Sequence, residues 1–342
     1  MKTLIATGGR FSCAEIHEPP LSSHSVKVRL IWSCISFGTE SGTVRGQTLK
    51  SVLHNRAYWQ KATAMLKRSP YALFQRFLRL RRGCNPLGYS AIGEVVSCGH
   101  RVARPLPAGT LVHVGGEYAS HAEYVTVPQQ FVFPLLEGEG SSPALAAATI
   151  ASVPIHALQH AFDVLPDTLS PNVLVIGGGI IGTFACLYAK YRGWNVRLYD
   201  KAPQTLADSF TGRTQIDRGY DIIAVCTPSM DGIEEHIAKA NEGAVLSIVG
   251  ETPLKVDRSL LEAKYMTVRF CMSFGYGRGD KAYEFGCKEI TSSRFPHTFR
   301  NTICEGIMLM RHFNAALQKH IHICKPESFS VDHYKINVIS WR

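Results

Sequence analysis

A chain of 342 residues is long enough for two domains with separate cores, and 45% hydrophobic with 19% charged residues is the balance of a globular protein, not a fibrous or disordered one. No apolar run approaches the roughly 20 residues that cross a bilayer, and the first residues carry one early Lys and only a short apolar stretch, so a cytoplasmic protein without a signal peptide is expected. The formal charge of +10 comes from one place: Ser41 to Arg82 holds ten Lys and Arg and no acid, which leaves the remainder balanced.

Ten cysteines, at 13, 34, 84, 98, 186, 226, 271, 287, 304 and 324, lie far apart with no C-x-x-C pair. Such spacing predicts reduced thiols, mostly in the core, and neither a disulfide framework nor a structural zinc site. Up to about Val127, short β-branched runs (SVKVRLIWSCI, SAIGEVVSCG, GTLVHVGG, HAEYVTVP) punctuated by Gly and Pro predict a small β-rich domain. Inserted in it, the basic segment 48–83 has apolar residues at three- and four-residue spacing, split by Pro70, and predicts two amphipathic helices. From Ala144 the composition turns Ala-rich and helical. The run PNVLVIGGG then reads as a buried strand, TFACLYAKYRG as a helix and WNVRLYD as a second strand. Two more apolar strands, YDIIAVCT and GAVLSIVG, flank the helical IEEHIAKANE, and YMTVRFCMSF adds another, the alternation of a parallel α/β sheet. In the tail, ICEGIMLMRHFNAALQKH has helical spacing, IHICK reads as a short strand, and a last segment runs from Asp332 to Ile339.

Gly177, Gly179 and Gly182 form a G-x-G-x-x-G turn between the first of these strands and its helix, the context in which that spacing means a dinucleotide. Gly177 permits the tight turn, Gly179 lets backbone N–H groups approach a pyrophosphate, and Gly182 lets the helix pack against the strand; Ile180 and Ile181 open the helix whose N-terminus favours the anion. Asp200 ends the next strand, 18 residues beyond Gly182. An acid there hydrogen-bonds the adenosine ribose hydroxyls and repels a 2′-phosphate, which favours NAD over NADP, while Lys201 beside it pulls the other way. Cys226, Thr227 and Gly250, at the ends of the following strands, complete the expected cofactor set. Only about 20 residues separate Asp200 from Asp221, little room for the usual helix and third strand.

A dinucleotide domain preceded by a β-rich domain ending in HAEYVTVPQQFVFPLLEG resembles the medium-chain dehydrogenase/reductase superfamily over nearly the whole chain. That resemblance implies a GroES-like β-rich catalytic domain, 1–149 with 275–342, plus a Rossmann domain with a doubly wound parallel sheet, 150–274. It also implies an NAD(P)-dependent oxidoreductase. CISFGTESG stands where zinc alcohol dehydrogenases carry Cys-x-Ser/Thr-Asp, and NPLGYSAIGEVVSCG resembles their Leu-Gly-His-Glu stretch. Position by position, the first zinc-ligand place holds Phe37, the histidine place Tyr89, its neighbouring glutamate Ser90, and the third ligand place falls near Thr149. None replaces a thiolate or imidazole on Zn²⁺, and the four-cysteine lobe is missing, so no bound metal is expected. Within the superfamily, GTE, LGYS, the basic helical insertion and SFGYGRGD resemble the bi-domain oxidoreductases of polysaccharide biosynthesis, without their fused second domain. The dehydrogenase of bacteriochlorophyll synthesis, which acts on a tetrapyrrole side chain, is a second relative by its GTE motif and shortened Rossmann half.

Without a metal, side chains must manage the substrate oxygen. Thr39 matches the hydroxyl of the superfamily's proton relay, Tyr89 offers a phenolic O–H as acid or oxyanion donor, and Glu40 either orients Thr39 or closes a local network. Tyr276 and Arg278 follow the last Rossmann strand, where Arg278 can clamp an anionic group on the substrate. His156 reads as a packed core residue, and His320, His322 and Cys324 as incidental neighbours on a strand. The expected substrate is a small molecule with a hydroxyl, carbonyl or activated double bond, a sugar-like biosynthetic intermediate. A lid or an anionic partner is the expectation for the basic insertion, and a homo-dimer or tetramer follows from the resemblance. The competing reading is a non-catalytic dinucleotide-binding protein or redox sensor.

Overall fold

The computed structural model describes residues 1–7, 10–45, 85–116, 118–136, 138, 140–165, 170–202, 205–211, 216–250, 252, 255–271, 295–333 and 335–341. The insertion 48–83 and the pair Tyr276 and Arg278 lie outside them. Two compact units are present: Met1–Ala146 with His322–Val331 and Asn337–Arg342, and Ala147–Ile321 with Asp332–Ile336.

The first unit is β-rich. Strands β1 (Lys2–Thr7) and β2 (Arg10–Glu15) form an N-terminal antiparallel hairpin, joined on its other side by the two-residue β4 (Asn85–Pro86). A larger sheet is built around β3 (Ser25–Cys34), which pairs antiparallel with β5 (Ser90–Cys98), β7 (Tyr124–Pro128) and β15 (Ile336–Ser340). From β5 it continues through β6 (Leu111–Gly115) to β8 (Val132–Pro134), and β14 (Ile321–Cys324) lies beyond β15. The four β-branched runs recognised in the sequence are thus β3, β5, β6 and β7. Leu4, Ile35, Leu87 and Ile339 are buried together beneath Phe11, Phe329 and Trp341. Burying one such aliphatic side chain contributes roughly 1.5–3 kcal/mol, so this cluster fixes the ends of β1, β3 and β15 against one another.

The second unit carries a five-stranded, all-parallel sheet in the order β10-β9-β11-β12-β13: β9 (Asn172–Ile176), β10 (Asn195–Tyr199), β11 (Tyr220–Val225), β12 (Ala240–Val249) and β13 (Thr267–Cys271). β9 and β11 are near-continuous apolar runs because helices cover both faces of such a sheet. Helix α2 (Ala148–Phe162) precedes β9, α3 (Ile180–Tyr191) links β9 to β10, and α5 (Ile233–Ala238) links β11 to β12. Between β10 and β11 the described residues hold one short helix, α4 (Asp208–Thr211), and no strand, so β10 ends the sheet where a doubly wound fold usually continues. Helix α6 (Arg258–Ala263) precedes β13, and α7 (Phe295–His312) and α8 (Asn314–Gln318) follow in the tail. α7 lies so close to α2 that a methyl on Gly306 would strike the Ala148 backbone carbonyl.

Candidate functional site

In the β-rich unit the GTE motif opens helix α1 (Phe37–Arg45) instead of an extended loop. Two glycines, Gly38 and Gly42, give that sequence little intrinsic helix propensity. Its start is instead held by the side chain of Glu40, which reaches back to accept the Ser36 backbone N–H at 3.1 Å, a variant of the capping box. A carboxylate in the first turn is also favoured by the helix dipole.

Glu40 is 2% exposed, and its partners come from distant parts of the chain. The His121 ring, fully buried, places Nε2 3.1 and 3.2 Å from the two carboxylate oxygens and Nδ1 2.8 Å from Ser33 Oγ. Trp341 Nε1 donates to the same Ser33 oxygen at 2.8 Å. On the other side of Glu40, the Ser36 hydroxyl donates to Thr39 Oγ1 at 3.3 Å, and the Tyr89 hydroxyl is bonded to both Ser36 and Thr39. Thr39 is exposed and Tyr89 half-buried, so the three linked hydroxyls reach the surface of this unit. Burial, with a further push from the Glu40 charge, lifts the Tyr89 phenol well above its ordinary range against the hydrogen bonds of Ser36 and Thr39. Tyr89 therefore keeps its proton at physiological pH and is a hydrogen-bond donor.

The three predicted catalytic residues, Thr39, Glu40 and Tyr89, are brought together. Ser33, Ser36, His121 and Trp341, which complete the cluster, were not legible as site residues. HAEYVTVP offered a histidine, but only as part of a strand signal. At the places where the resemblance puts zinc ligands, Phe37 and Tyr89 offer no thiolate or imidazole, Ser90 is buried and donates to the Ala146 carbonyl at 2.5 Å, and Thr149 is a buried helix residue. These donors do not fit zinc. Among the described residues, no three His, Cys, Asp or Glu lie close enough to hold a metal ion.

In the parallel-sheet unit, Gly177 has φ +102°, a conformation that needs glycine, and a methyl there would lie 3.0 Å from the Cys226 carbonyl and from Thr227 Cβ. A methyl on Gly182 would collide with the Gly177 carbonyl oxygen, so strand and helix meet here as closely as backbones can. Gly179 is different: a methyl there meets nothing within 4 Å. It precedes the first turn of α3, which no side chain caps, and Ile180 and Ile181 therefore carry N–H groups without partners four residues back. The backbone is open to an anion.

Asp200 follows β10 and uses both carboxylate oxygens on the local backbone, accepting Gly178 N–H at 2.6 Å and Ala202 N–H at 2.8 Å. Lys201 pairs with Asp231 at 3.0 Å, and Ser229 donates to the same carboxylate at 2.6 Å. The Cys226 thiol is pushed up to about 12 by burial, and its backbone N–H donates to Ile176. Thr227 accepts the Thr252 hydroxyl on its carbonyl at 2.7 Å, and Gly250 turns with φ +91° after β12. Gly177, Asp200, Cys226 and Gly250 thus follow the C-terminal ends of β9, β10, β11 and β12, the edge at which parallel sheets bind ligands.

His156 is buried, with its Nδ1 unpartnered, on α2. His320 packs on Phe210, His322 on Ser330 Oγ at 3.3 Å, and the Cys324 thiol donates to the Val338 carbonyl at 3.6 Å, so the three serve separate contacts.

No family model matches the sequence, and no curated protein does. Solved structures match its fold along nearly all of its length. Alcohol dehydrogenase TADH from Thermus sp. ATN1 is similar with a TM-score of 0.69 at 15% identity, covering 99% of each chain. TarJ from S. aureus, solved in complex with NADPH, has a TM-score of 0.65 at 12% identity over 99% of this chain and 98% of its own. Acetophenone reductase from Geotrichum candidum, solved with NAD, has 0.64 at 15% identity over 99% and 96%. The fold is that of these dehydrogenases and reductases: a β-rich sheet unit and a parallel-sheet unit.

Proposed function

We propose that this protein is an NAD(P)-dependent oxidoreductase that manages its substrate oxygen with hydroxyl groups instead of zinc. The observation that carries the reading is the turn at 177–182, where an uncapped helix start and an open Gly179 leave backbone N–H groups free for a pyrophosphate. A bound nicotinamide would supply the hydride chemistry. The pyrophosphate is assigned to Gly179, Ile180 and Ile181, with Gly177 and Gly182 shaping the turn; Asp200, Lys201, Cys226, Thr227 and Gly250 line the rest of that edge. Asp200 supports NAD over NADP, since a fixed carboxylate repels a 2′-phosphate. Thr39 and Tyr89 hydrogen-bond the substrate oxygen, and Tyr89, which keeps its proton, donates. Substrates are small hydroxyl, carbonyl or activated-alkene compounds of sugar-like kind, with Arg278 and Tyr276 assigned to their far end. The parallel-sheet unit serves the dinucleotide and the β-rich unit the chemistry, in a homo-dimer or tetramer, and the charge of 48–83 supports an anionic partner. No described helix is long and apolar enough to cross a membrane; a cytoplasmic location belongs to this proposal.

The test is a panel of ketones, aldehydes, polyols and enones assayed by nicotinamide absorbance with chelator present. Dinucleotide-dependent turnover that chelator does not affect supports the proposal. Turnover that requires added zinc removes its metal-free part, and binding without any turnover favours a dinucleotide-binding sensor.

A further inference from the structure

The buried histidine is fixed in one tautomer, and that tautomer says what it does. Ser33 Oγ has two neighbours at hydrogen-bond distance, Trp341 Nε1 and His121 Nδ1, each at 2.8 Å. An indole N–H only donates, so it takes an oxygen lone pair and leaves the single Ser33 O–H to be placed. Among the described residues, the one acceptor within reach of that hydrogen is His121 Nδ1. The other ring nitrogen then carries the hydrogen and donates to Glu40, whose second donor is the Ser36 backbone N–H at 3.1 Å. Every polar atom in this chain of groups is satisfied by this one arrangement, and the reversed tautomer would leave the Ser33 hydrogen buried without an acceptor, at a cost of about 1–3 kcal/mol.

A second observation ties the ring to Tyr89. Gly88, with φ +99°, leaves no room for a side chain: a methyl there would lie 2.7 Å from His121 Nδ1 and 2.7 Å from its backbone nitrogen. His121 N–H also donates to the Leu87 carbonyl at 2.6 Å. The ring is wedged between the segment that carries Tyr89 and the helix start that carries Glu40.

We propose that His121 is a positioning residue for this site: held as the Nε2–H tautomer between the Ser33 hydroxyl and the Glu40 carboxylate, it donates to Glu40 and fixes that side chain against the start of α1, which carries Thr39. The inference rests on the assignment of Thr39 and Tyr89 to the substrate oxygen. Acting through Glu40, which accepts the Ser36 N–H, His121 fixes the start of α1 and so the Ser36 and Thr39 hydroxyls that meet Tyr89. It does not exchange a proton with substrate.

The experiment uses the full chain labelled with ¹⁵N-histidine near neutral pH, with the His121 ring signals assigned by their loss in His121→Gln. The expected spectrum has a protonated Nε2 and a bare Nδ1. In Trp341→Phe the Ser33 hydrogen still has only Nδ1 to donate to and Nε2–H still faces Glu40, so the tautomer should persist, whereas in Ser33→Ala, which takes the hydroxyl away from Nδ1, the Nδ1 signal should move by the loss of one hydrogen bond. Infrared difference spectra supply the second arm. His121→Phe should shift the carboxylate stretching band that is lost in Glu40→Gln, and His121→Gln, which retains an N–H there, should reverse most of that shift. A protonated Nδ1 in the wild-type protein overturns the inference, as does an Nδ1 signal that stays put in Ser33→Ala; the latter arm stands even where His121→Phe fails to fold. Neither readout needs dinucleotide or turnover. An inactive protein with the expected tautomer counts against the proposed function alone, and an active one with a protonated Nδ1 against this inference alone.

Discussion

Replacing Gly182 and Gly179 by alanine, one at a time, separates folding from binding at the same turn. At Gly182 the added methyl lands on the Gly177 carbonyl oxygen and 3.0 Å from its carbon, with Val175 Cγ1 at 3.3 Å behind it. Two of those three atoms are backbone, so neither can swing away, and the overpacking cost is expected at or above the ~3 kcal/mol upper end for core insertions. At roughly 2–4 °C per kcal/mol the melting temperature should fall by about 6–12 °C. Gly179 has φ −69° and ψ −173°, a conformation alanine adopts freely, and open space around it. Its chain-entropy gain of about 0.4–1 kcal/mol offsets a similar loss at a helix N-cap, so stability should barely move. The methyl does occupy the approach to the N–H groups. Affinity for dinucleotide should drop at least tenfold, about 1.4 kcal/mol. Thermal melts and nicotinamide fluorescence titrations of both variants check the pair. A Gly179→Ala protein that melts and binds like wild type would show that the turn does not hold the pyrophosphate.

Tyr89→Phe keeps the ring and removes the hydroxyl, so turnover should fall by roughly 10²-fold with dinucleotide affinity unchanged; unaltered turnover would remove Tyr89 from the chemistry. Asp200→Asn leaves one carbonyl oxygen where two oxygens accept Gly178 and Ala202, and should cost about 1–2 kcal/mol in a denaturant titration while narrowing the gap between NADH and NADPH affinities. An unchanged gap would clear Asp200 of cofactor choice. Burial, with His160 nearby, holds His156 down to about 4, and burial takes His113 to about 3, against 6.5 for a free imidazole. The unfolded chain thus takes up these protons first, so their stability is complete above about pH 6.5 and drains as pH falls toward 4, up to ~3 kcal/mol for His156. His156→Leu, which sacrifices no hydrogen bond because Nδ1 has none, should flatten the denaturation midpoint between pH 7 and 4.5; an equally steep loss would place the acid sensitivity elsewhere.

The β9-turn-α3-β10 unit was legible because it is local: an apolar strand, three spaced glycines and an amphipathic helix sit within thirty residues, and each residue's role depends on near neighbours. The lack of a strand between β10 and β11 among the described residues was legible for the same reason, as a short stretch of chain. Helix α1 was not, since FGTESG has two glycines and depends on Glu40 reaching back to Ser36. The N-terminal hairpin was passed over because its strands are short and carry mixed faces. His121 was beyond the reach of local pattern: its partners lie 81 and 88 residues away, and the tryptophan that donates to Ser33 is 308 residues from it. Spacing shows which side chains share an element. It does not show which hydroxyl will lack an acceptor once the sheet has closed.

The most direct test of the account is a titration of purified, metal-analysed protein with NADH and with NADPH, followed by nicotinamide fluorescence. Saturable binding of at least one dinucleotide, NADH the tighter, with zinc far below one per chain, is the expected result. Failure to bind either, or binding that appears only after zinc is restored, would contradict a metal-free oxidoreductase built on this turn.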